Sequence, residues 1–552
     1  MKINELNRLM KYPVVQKVVG TMDPYSSMLI MFTFMILAFV LMKIYRRYRL
    51  QHYEVPARDI RKGHRWYMVD MFPEQTYCSI SHDRIKHGAR CDSCGLCVDD
   101  SHMKAANKKF PCKPLAEPGP VTHHHWIQGN LSLYSKCFSC GEDCGILPHI
   151  SDMRCAWCGR SAHENCVYMK EECECDMGEF RSSIIPPHCV KLTWTGIKGR
   201  KHLVVDSVTH PGYKNWLPVI VVGNRKSGNN EGELILREFR SILNPTQVID
   251  LNDMPPENAL EWCHLLPDIT FRVLVCGGDG SVGWVLNAIS NLKLKNPPLV
   301  SILPLGTGND LSRVLGWGEG HTMHDVSIHT ILHQVENAEP DTLDRWNVQI
   351  TSNRKYPVLM KNKTLIMNNY ASVGVDALVT LNFHKQRESR PWLFTHRLVN
   401  KLCYLAFGTK DVVGRECCNL QKKIKLELDG KVLQLPELEG VVILNIPSWG
   451  GGCQPWGTET ENGRFSVPSY HDGLLEVMGL YSSFHIAQLQ VGLAQPLRLG
   501  QAKKVKITIL NGKVPMQVDG EPWEQSSPVE IEVTHHSTIR LLSRCGRTNL
   551  SG

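Results

Sequence analysis

The residues with the clearest chemical potential are one aspartate held in a turn of three glycines. The apolar run Phe271–Cys276 is followed by Gly277, Gly278, Asp279 and Gly280. Glycines let the backbone approach a ligand closely, and the unpaired N–H groups at the start of a following helix attract anions, so the natural ligand is a phosphate. Because Asp279 would repel a bare phosphate, its carboxylate is expected to face Mg²⁺ or the proton of a hydroxyl group.

The elements that must position this turn are a buried strand and an amphipathic helix. A short apolar run that ends in glycine is typical of a parallel strand covered on both faces. After the turn, apolar residues recur at helical spacing, which predicts a helix that packs one face back onto the sheet. These residues are Val282, Val285, Leu286, Ile289 and Leu292.

Two further turns of the same kind predict a shared crevice. One follows the apolar run Leu217–Val222 and the other follows Val300–Leu305. Parallel sheets bind ligands outside the carboxyl ends of their strands, and a lysine there neutralises phosphate oxygens during transfer. The spacing is not that of a Walker A loop. The candidate residues in the two turns are Lys226, Ser227, Gly228, Gly306, Thr307, Gly308, Asn309 and Asp310.

The second half of the chain predicts an antiparallel sheet domain. Short runs such as Lys423–Leu428, Val441–Ile446, Leu475–Leu480 and Val505–Leu510 alternate with glycine turns. A turn near the end carries two acids, Asp519 and Glu521. Acids in a turn usually serve the turn itself, but these two could instead reach the crevice.

Composition bounds the class of protein. The chain has 552 residues, 42% hydrophobic content and a net charge of +8, which predicts two to four packed domains. Of its 21 cysteines, fourteen lie between Cys78 and Cys189, with Cys-x-x-Cys pairs and histidines nearby. In a chain of this size that pattern favours zinc in a reducing compartment over a disulfide framework.

The more complete zinc pattern lies in residues 124–175, where eight Cys and His residues can close two tetrahedral Cys₃His sites. It resembles the C1 domain, the cysteine-rich module of protein kinase C. That resemblance implies two interleaved sites, an outer one of His124, Cys155, Cys158 and Cys175 (or Cys173) and an inner one of Cys137, Cys140, His163 and Cys166. No basic recognition helix lies between the ligands, so a nucleic-acid finger is disfavoured.

Residues 64–112 resemble a second copy that departs from the pattern. His64, Cys91, Cys94 and Cys112 supply a full outer site. The inner site would need Cys78, Ser81, Asp99 and His102, and a serine hydroxyl is a poor zinc ligand. We expect one tight zinc and one weak or absent zinc in this copy. Diacylglycerol binding is not assigned to it and stays open for residues 124–175.

A membrane segment is predicted near the N-terminus. Residues 24–42 are 19 uncharged residues, and between Lys43 and Arg65 there are eight Lys and Arg against two acids. The length suffices to cross a bilayer, and the basic run predicts attraction to anionic headgroups with the rest of the chain in the cytosol. A cleaved signal peptide is disfavoured because a small-residue cleavage site is missing. A re-entrant hairpin stays open.

Together these motifs resemble the diacylglycerol kinases. The resemblance rests on the Gly277–Ser281 turn, the Pro304–Asp310 turn, Gly374–Ala377 and the Asp519–Glu521 turn, preceded by two C1-like modules. With a membrane segment and without calcium-binding hands or ankyrin repeats, the arrangement is most similar to the epsilon class of that family. The family usually has threonine where this chain has Ser281.

The resemblance implies the following domains: a tail (1–23), a transmembrane or re-entrant helix (24–42), a basic segment (43–63), module 1 (64–112), module 2 (124–175), a connector (176–215), an α/β catalytic domain (216–350) and a β-rich accessory domain (366–545). It implies ATP-dependent phosphorylation of 1,2-diacylglycerol to phosphatidic acid, with arachidonoyl preference. That activity would attenuate diacylglycerol signalling and feed phosphatidylinositol resynthesis at the endoplasmic reticulum or plasma membrane.

Residue roles implied by the resemblance are a phosphate cradle, a metal network and a base. Gly277, Gly278 and Gly280 with Lys226 would hold ATP, Asp279 would organise its Mg²⁺, and Asp310 would support that network. Asp519 or Glu521, or Asp279 itself, would deprotonate the lipid hydroxyl, and Asp472 would hold a structural Mg²⁺.

Bulky residues at 392–394 and 402–407 could line an acyl pocket, although ordinary core packing is the simpler interpretation. Sphingoid-base and NAD kinases share the glycine turn, and a catalytically silent membrane-tethered lipid receptor is the alternative of another class.

Overall fold

The computed structural model describes residues 24–49, 53–72, 75–132, 134–145, 150–168, 174–196, 201–228, 231–321, 327–352, 363–389, 417–457 and 465–544. The predicted acyl wall at 392–394 and 402–407 and the alternative ligand Cys173 lie outside the described residues. The chain divides into two compact units, Met1–Glu54 and Val55–Gly552.

The described part of the first unit forms the helix α1 (Pro24–Arg49), of 26 residues. Its apolar side chains from Met31 to Met42 are exposed, for example Phe32 at 60% and Leu37 at 53%. Judged over the described part of the chain alone, no helix is both long and apolar enough to cross a membrane.

Module 1 is built from short strands and one helix, with its core around Ala89, Cys91 and Val98. A three-stranded sheet of order β2-β5-β6 and a separate pair β3-β4 frame the cysteines. The elements, after β1 (Val55–Ala57), are β2 (Trp66–Val69), β3 (Thr76–Tyr77), β4 (Arg84–Ile85), β5 (Gly88–Cys91), β6 (Cys97–Val98) and α2 (Met103–Lys109).

Module 2 repeats this plan with a three-stranded sheet of order β7-β8-β9. Its elements are β7 (Trp126–Gln128), β8 (Met153–Cys155), β9 (Ser161–Ala162) and α3 (Glu164–Tyr168).

The expected connector at 176–215 is a folded part of the body. β10 (Val190–Thr195) and β11 (His202–Val208) form an antiparallel sheet with β1. Because β1 lies in the expected basic segment (43–63), the end of that segment belongs to the second unit. Ile184 and Ile185 are fully buried in the core of the parallel sheet. The Pro186-Pro187 pair is typical of a linker. The apolar residues beside it are buried instead, because burying their surface is more favourable than leaving it in water.

The catalytic half is a parallel sheet of order β13-β12-β14-β15, and every residue of β12, β14 and β15 is buried. Such continuous apolar strands require cover on both faces, which the helices supply. The elements are β12 (Val219–Gly223), α4 (Glu231–Ile242), β13 (Val248–Asp250), α5 (Pro256–Ala259), α6 (Trp262–Leu265), β14 (Arg272–Gly277), α7 (Asp279–Leu292), β15 (Leu299–Pro304), α8 (Asp310–Val314) and α9 (Ile328–Asn337).

The second half adds mainly antiparallel strands, as the alternating pattern predicted. They are β16 (Glu339–Ser352), β17 (Lys363–Met367), β18 (Tyr370–Gly374), β19 (Ile424–Leu428), β20 (Lys431–Leu433), β21 (Gly440–Leu444), β22 (Leu475–Leu480), β23 (Leu497–Ala502), β24 (Lys504–Ile509), β25 (Lys513–Val518), β26 (Glu521–Ser526) and β27 (Val529–Ser543). The helices in the described residues of this half are α10 (Val375–Ser389), α11 (Leu420–Lys423) and α12 (Ser483–Gln490).

These strands do not form a separate sheet domain. One sheet, of order β23-β22-β21-β18-β25-β26, belongs to the second half alone, but β27 and β24 extend the parallel sheet beyond β15. Within this sheet the strands of the two halves meet at the parallel pair of Val300 with Leu541, and β16 pairs with β27 along its length. The two predicted domains therefore share one sheet, because strands far apart in sequence complete its edge.

Candidate active site and metal centres

The three glycine turns meet at one edge of the parallel sheet. β12, β14 and β15 are parallel neighbours, so their carboxyl ends lie side by side. A Cβ atom built on Gly306 would lie 2.6 Å from the Cα of Gly278, a distance real side chains do not adopt. Glycine is therefore required at both positions for the two turns to approach each other.

Asp279 lies at the first position of α7 and its carboxylate is held from three sides. It accepts backbone N–H bonds from Asp310 (3.1 Å) and Leu311 (3.2 Å), at the start of α8, and a side-chain N–H bond from Asn369 (3.1 Å). Burial, together with the charge of Asp310, raises the pKa of Asp279 to about 6, although these hydrogen bonds oppose the shift. The carboxylate is thus fixed in place before any ligand arrives.

Asp310 is 3% exposed, and its carboxylate is held by hydrogen bonds from the second half of the chain. It accepts a hydrogen bond from the Ser448 hydroxyl (2.6 Å) and backbone N–H bonds from Gly451 (3.1 Å) and Gly452 (3.0 Å). These glycines, Gly450–Gly452, form one of the glycine turns between the predicted strands, which the sequence predicts only as chain reversals. The amides of this turn in fact hold the second acid of the crevice.

The other predicted ATP-binding residues surround these two acids. A Cβ on Gly308 would lie 3.4 Å from an oxygen of Asp310 and 3.5 Å from an oxygen of Asp279, so this glycine leaves the space in front of both carboxylates open. Lys226 is exposed on its turn. Two carboxylates beside an open space at Gly308 fit a Mg²⁺-bound phosphate group. The ATP-binding assignments stay predictions.

Two of those residues shape the turns themselves. Asn309, 2% exposed and at φ +55°, donates its side-chain N–H to the carbonyls of Gly306 (2.9 Å) and Glu319 (2.8 Å). Ser281 packs beneath Gly277, since a Cβ there would lie 2.7 Å from its side chain. Ser227, Gly228, Gly280 and Thr307 complete the predicted set on the same edge of the sheet.

Asp519 is fully engaged within the accessory half, where it holds the segment 368–370 from which Asn369 reaches Asp279. Its carboxylate accepts N–H bonds from the backbones of Asn368 (2.7 Å), Asn369 (2.8 Å) and Tyr370 (3.1 Å), and from the Asn368 side chain (3.0 Å). Burial raises its pKa, while these four bonds act in the opposite direction. A carboxylate with its acceptor positions filled is a poor general base.

Glu521 differs from Asp519 in exposure. It begins β26 with an exposed side chain, two residues beyond the anchor that Asp519 provides. Of the two acids in this turn, Glu521 is the one whose carboxylate is accessible to a substrate.

Sequence reasoning missed the residues that join the two halves of the site. Asn369 contacts Asp519 through its backbone and Asp279 through its side chain. Asn368 accepts a 2.9 Å hydrogen bond from Arg345, which is fully buried and also binds the carbonyl of Leu286 in α7 (3.2 Å). Burial lowers the pKa of Arg345 to about 10. The sequence signal that could have indicated them is the polar pair Asn368-Asn369 between the two apolar strands β17 and β18.

Comparison with known proteins places this geometry. Residues 218–340 match the family "Diacylglycerol kinase catalytic domain" and residues 366–522 match "Diacylglycerol kinase accessory domain". The chain is 34% identical to "Diacylglycerol kinase 2" of Arabidopsis thaliana, over 82% of this chain and 78% of that protein. The chain belongs to the diacylglycerol kinase family. Its domains are those of an ATP-dependent diacylglycerol kinase.

A second relative agrees with this membership. The kinase is 32% identical to "Diacylglycerol kinase iota" of Homo sapiens, over 85% of this chain and 48% of that protein. The crystal structure of a diacylglycerol kinase from Bacillus anthracis str. Sterne matches with a TM-score of 0.36 and 16% identity, covering 59% of this chain and 97% of that chain. A likeness at that level supports no argument about the site.

Three Cys₃His groups in the kinase have the geometry of zinc sites. The ligand atoms of His64, Cys91, Cys94 and Cys112 lie within 4.8 Å of one another, and the same holds for the groups His124, Cys155, Cys158, Cys175 and Cys137, Cys140, His163, Cys166. Thiolate and imidazole at this spacing suit tetrahedral zinc. The far ring nitrogens of His64 and His163 lie 3.1 Å from the carbonyls of Phe110 and Asp143, which fixes their orientation. A fourth group, Cys144 and Asp152, shares His163.

The inner site of module 1 lacks a comparable group among the described residues. Cys78 and His102 lie 3.4 Å apart. Asp99 instead accepts the backbone N–H of Ser101 (3.0 Å) and its hydroxyl (2.5 Å), capping the turn that follows. Two ligands are too few for a tight tetrahedral site.

Zinc content tests this difference. Because three groups are complete among the described residues, we expect about three zinc ions per chain after chelator-free purification. Cys91→Ser should lower the content by about one, whereas Cys78→Ser should leave it unchanged. Four tightly held zinc ions, measured by plasma mass spectrometry, would contradict the assignment.

Asp472, predicted to hold a structural Mg²⁺, belongs to no cluster of three His, Cys, Asp or Glu ligand atoms in the described ranges. Burial raises its pKa, and one carboxylate oxygen accepts the backbone N–H of Leu474 (3.0 Å). Its metal role stays a prediction.

Lys113 connects both zinc modules to the catalytic half. It follows the module 1 ligand Cys112, is 1% exposed and lies with its ammonium 4.1 Å from the ring centroid of Trp157 in module 2. The ammonium donates to three carbonyls at the end of α4, those of Ser241 (2.9 Å), Ile242 (3.2 Å) and Leu243 (3.0 Å). Burial lowers its pKa to about 7, opposed by nearby thiolates.

A buried ion pair reinforces that junction. Asp92 of module 1 contacts Arg65 (3.1 Å) and Arg240 of α4 (3.2 Å). The start of α4 follows the turn that carries Lys226, so one helix links the zinc modules to the phosphate-binding edge.

Proposed function

We propose that the kinase phosphorylates 1,2-diacylglycerol at a membrane surface and belongs to the epsilon class, preferring arachidonoyl chains. The observation that carries the reaction is the pair Asp279 and Asp310, which the structure holds at the meeting point of three glycine turns. The preference and the class rest on the sequence resemblance. In the cell the reaction would attenuate diacylglycerol signalling and feed phosphatidylinositol resynthesis.

Each residue has a stated role in this proposal. Mg²⁺ bound with ATP supplies neutralisation of the phosphate charge. Asp279 would hold that metal–phosphate group while Asp310 supports the network behind it, and Lys226 with the glycine amides would orient its oxygens. Glu521, whose carboxylate is exposed, takes the proton from the lipid hydroxyl. Asp519 holds the turn that carries Glu521.

An ATP assay on mixed micelles tests the reaction class. We expect phosphatidic acid only when diacylglycerol is present. Phosphorylation of sphingosine instead would favour a sphingoid-base kinase, and no turnover at all would favour a silent lipid receptor. Competition between arachidonoyl and dipalmitoyl diacylglycerol tests the chain preference, and equal rates would contradict the epsilon assignment.

Two isosteric variants separate the roles of the turn acids. Glu521→Gln should lower the single-turnover rate by about 10²–10⁴-fold with an unchanged melting temperature, because only proton transfer is removed. Asp519→Asn should chiefly lower the melting temperature, since an amide cannot accept bonds from all four donors. Single-turnover kinetics with thermal melting measures both. If Glu521→Gln keeps its rate while Asp519→Asn loses rate without loss of stability, the assignment of base is reversed.

Membrane anchoring by α1 is supported by its exposed apolar side chains and by the basic run that follows them. We expect the full chain to stay in the pellet after carbonate extraction, and a chain lacking residues 1–49 to be released. Release of the full chain would contradict the proposal.

A further inference from the structure

Asn369 lies where three segments of the site meet. It is 4% exposed between β17 and β18, its backbone N–H donates to Asp519 (2.8 Å), and its carbonyl accepts the backbone N–H of Asn445 (2.9 Å). Its side-chain N–H donates to Asp279 (3.1 Å). Asn369 therefore connects the turn that carries Glu521 with the acid assigned to the metal–phosphate group.

The two oxygens of the Asp279 carboxylate are held differently. Oδ1 accepts two hydrogen bonds, from the backbone of Leu311 (3.2 Å) and from Asn369 (3.1 Å), whereas Oδ2 accepts one, from the backbone of Asp310 (3.1 Å). A Cβ atom built on Gly308 would lie 3.5 Å from Oδ2. Because Asn369 occupies Oδ1, Oδ2 is the oxygen that faces the open space at Gly308 with a lone pair left for a metal ion.

The accessory half reaches Asp279 through the side chain of Asn369. Among the described residues, the other two donors to Asp279 are backbone N–H groups at the start of α8. The side-chain oxygen of Asn369 is buried and receives no hydrogen bond within the described part of the chain. A buried polar atom left without a partner lowers the free energy of unfolding. Stability alone therefore does not explain an asparagine at this position, whereas its donation to Asp279 does.

We propose that Asn369 is a positioning residue for phosphoryl transfer, which turns one oxygen of Asp279 towards the metal–phosphate group. The inference rests on the proposed function. Asn369 does not touch the reacting atoms and acts through Asp279. Because its backbone also binds Asp519, the same residue fixes the turn of Glu521 relative to the metal-facing carboxylate. Transfer from a phosphate to a hydroxyl depends on both ends being held in one geometry.

The variant Asn369→Ala removes the donor to Asp279 and leaves both backbone hydrogen bonds in place. Hydrogen bonds to a charged acceptor are strong. We therefore expect the affinity for ATP with Mg²⁺, measured by titration calorimetry, to fall about tenfold and kcat to fall about 10–100-fold. The affinity for ATP without Mg²⁺ should not change, because the donor acts on the carboxylate that faces the metal.

A mutant cycle separates positioning from a purely structural effect. In a chain that already carries Asp279→Asn, Asn369→Ala should change the calorimetric affinity and kcat by less than about twofold. The structural control is Asn445→Ala, because Asn445 is 1% exposed and donates to the carbonyls of Asp344 (2.7 Å) and Asn368 (2.6 Å) rather than to Asp279. It should lower the melting temperature, and its effect on kcat should be the same factor in both backgrounds.

Equal losses from Asn369→Ala in both backgrounds, or an unchanged affinity for ATP with Mg²⁺ in the single variant, would overturn the inference. If Asn369→Ala unfolds, the same two results are read from Asn369→Ser, whose polar side chain is too short to reach Asp279. A wild-type chain that binds ATP with Mg²⁺ but forms no phosphatidic acid would overturn the proposed function. Calorimetry would then still decide the role of Asn369.

Discussion

Replacing Asp279 by asparagine should lower kcat by about 10³-fold or more while leaving the chain folded. The asparagine side chain has the same shape but no charge, and it cannot accept all three N–H bonds that Asp279 receives from Asp310, Leu311 and Asn369. Metal–phosphate binding loses one anionic ligand, so the loss should appear in kcat and in the Mg²⁺ dependence together.

The same variant should alter the pH dependence of stability. The pKa of Asp279 is raised from 3.8 to about 6 in the folded chain, chiefly by burial and then by the charge of Asp310. Between about pH 4 and pH 6 the folded state binds more protons than the unfolded state, so the stabilising contribution of the protonated group is lost as the pH rises through this window. Asparagine does not titrate, so Asp279→Asn lacks this pH-dependent loss of stability. As the pH rises from about 4 to about 6, the melting temperature of the variant should fall less than that of the wild type.

Initial rates on mixed micelles and thermal melting at pH 4.5 and 7 measure both effects. The matched control is Asp268→Asn, because Asp268 is an exposed acid whose salt bridge with Lys295 lies at the surface. Near-normal turnover of Asp279→Asn would contradict the proposed active site.

Replacing Lys113 by methionine should loosen the junction between the zinc modules and the catalytic half. Methionine has a similar length and an apolar side chain that can stay buried. It cannot donate a hydrogen bond, so three carbonyls at the end of α4 lose their donor. Each buried acceptor left unsatisfied costs about 1–3 kcal/mol, and the contact of the ammonium with Trp157 is lost as well. We therefore expect a lower melting temperature and faster amide exchange in α4.

Because a chain of several modules does not unfold in one step, the local exchange measurement decides the result. Lys108→Met is the matched control, since Lys108 is exposed on α2 five residues earlier. Unchanged exchange in α4 would show that Asp92, Arg65 and Arg240 hold the junction without Lys113. Retained zinc with faster exchange would locate the effect in the junction rather than in the metal sites.

The ligand sets and the glycine turns were predictable because their chemistry is local. Cys-x-x-Cys pairs with histidines at fixed spacing indicate zinc wherever the chain places them, and a buried strand ending in glycines indicates a phosphate-binding turn. Among the described residues, the structure groups three complete Cys₃His sets as proposed, with Cys175 beside His124, Cys155 and Cys158. Asp99 caps the turn through Ser101, two residues later, which agrees with the expected weak or absent inner site of module 1.

The roles of the acids depended on contacts between distant parts of the chain. Asp519 and Glu521 are indistinguishable by sequence, yet one is enclosed by the amides of 368–370 and the other is exposed. Those amides lie about 150 residues away, and spacing along a chain carries no information on such pairs. The same applies to Asp310 and the Gly451 turn, to Arg345, and to β27, which completes the sheet of the catalytic half. The sequence by itself determined which residue types could bind phosphate and zinc. Only the tertiary structure decided which acids are buried supports and which can act, because burial and hydrogen bonding set the state of a carboxylate.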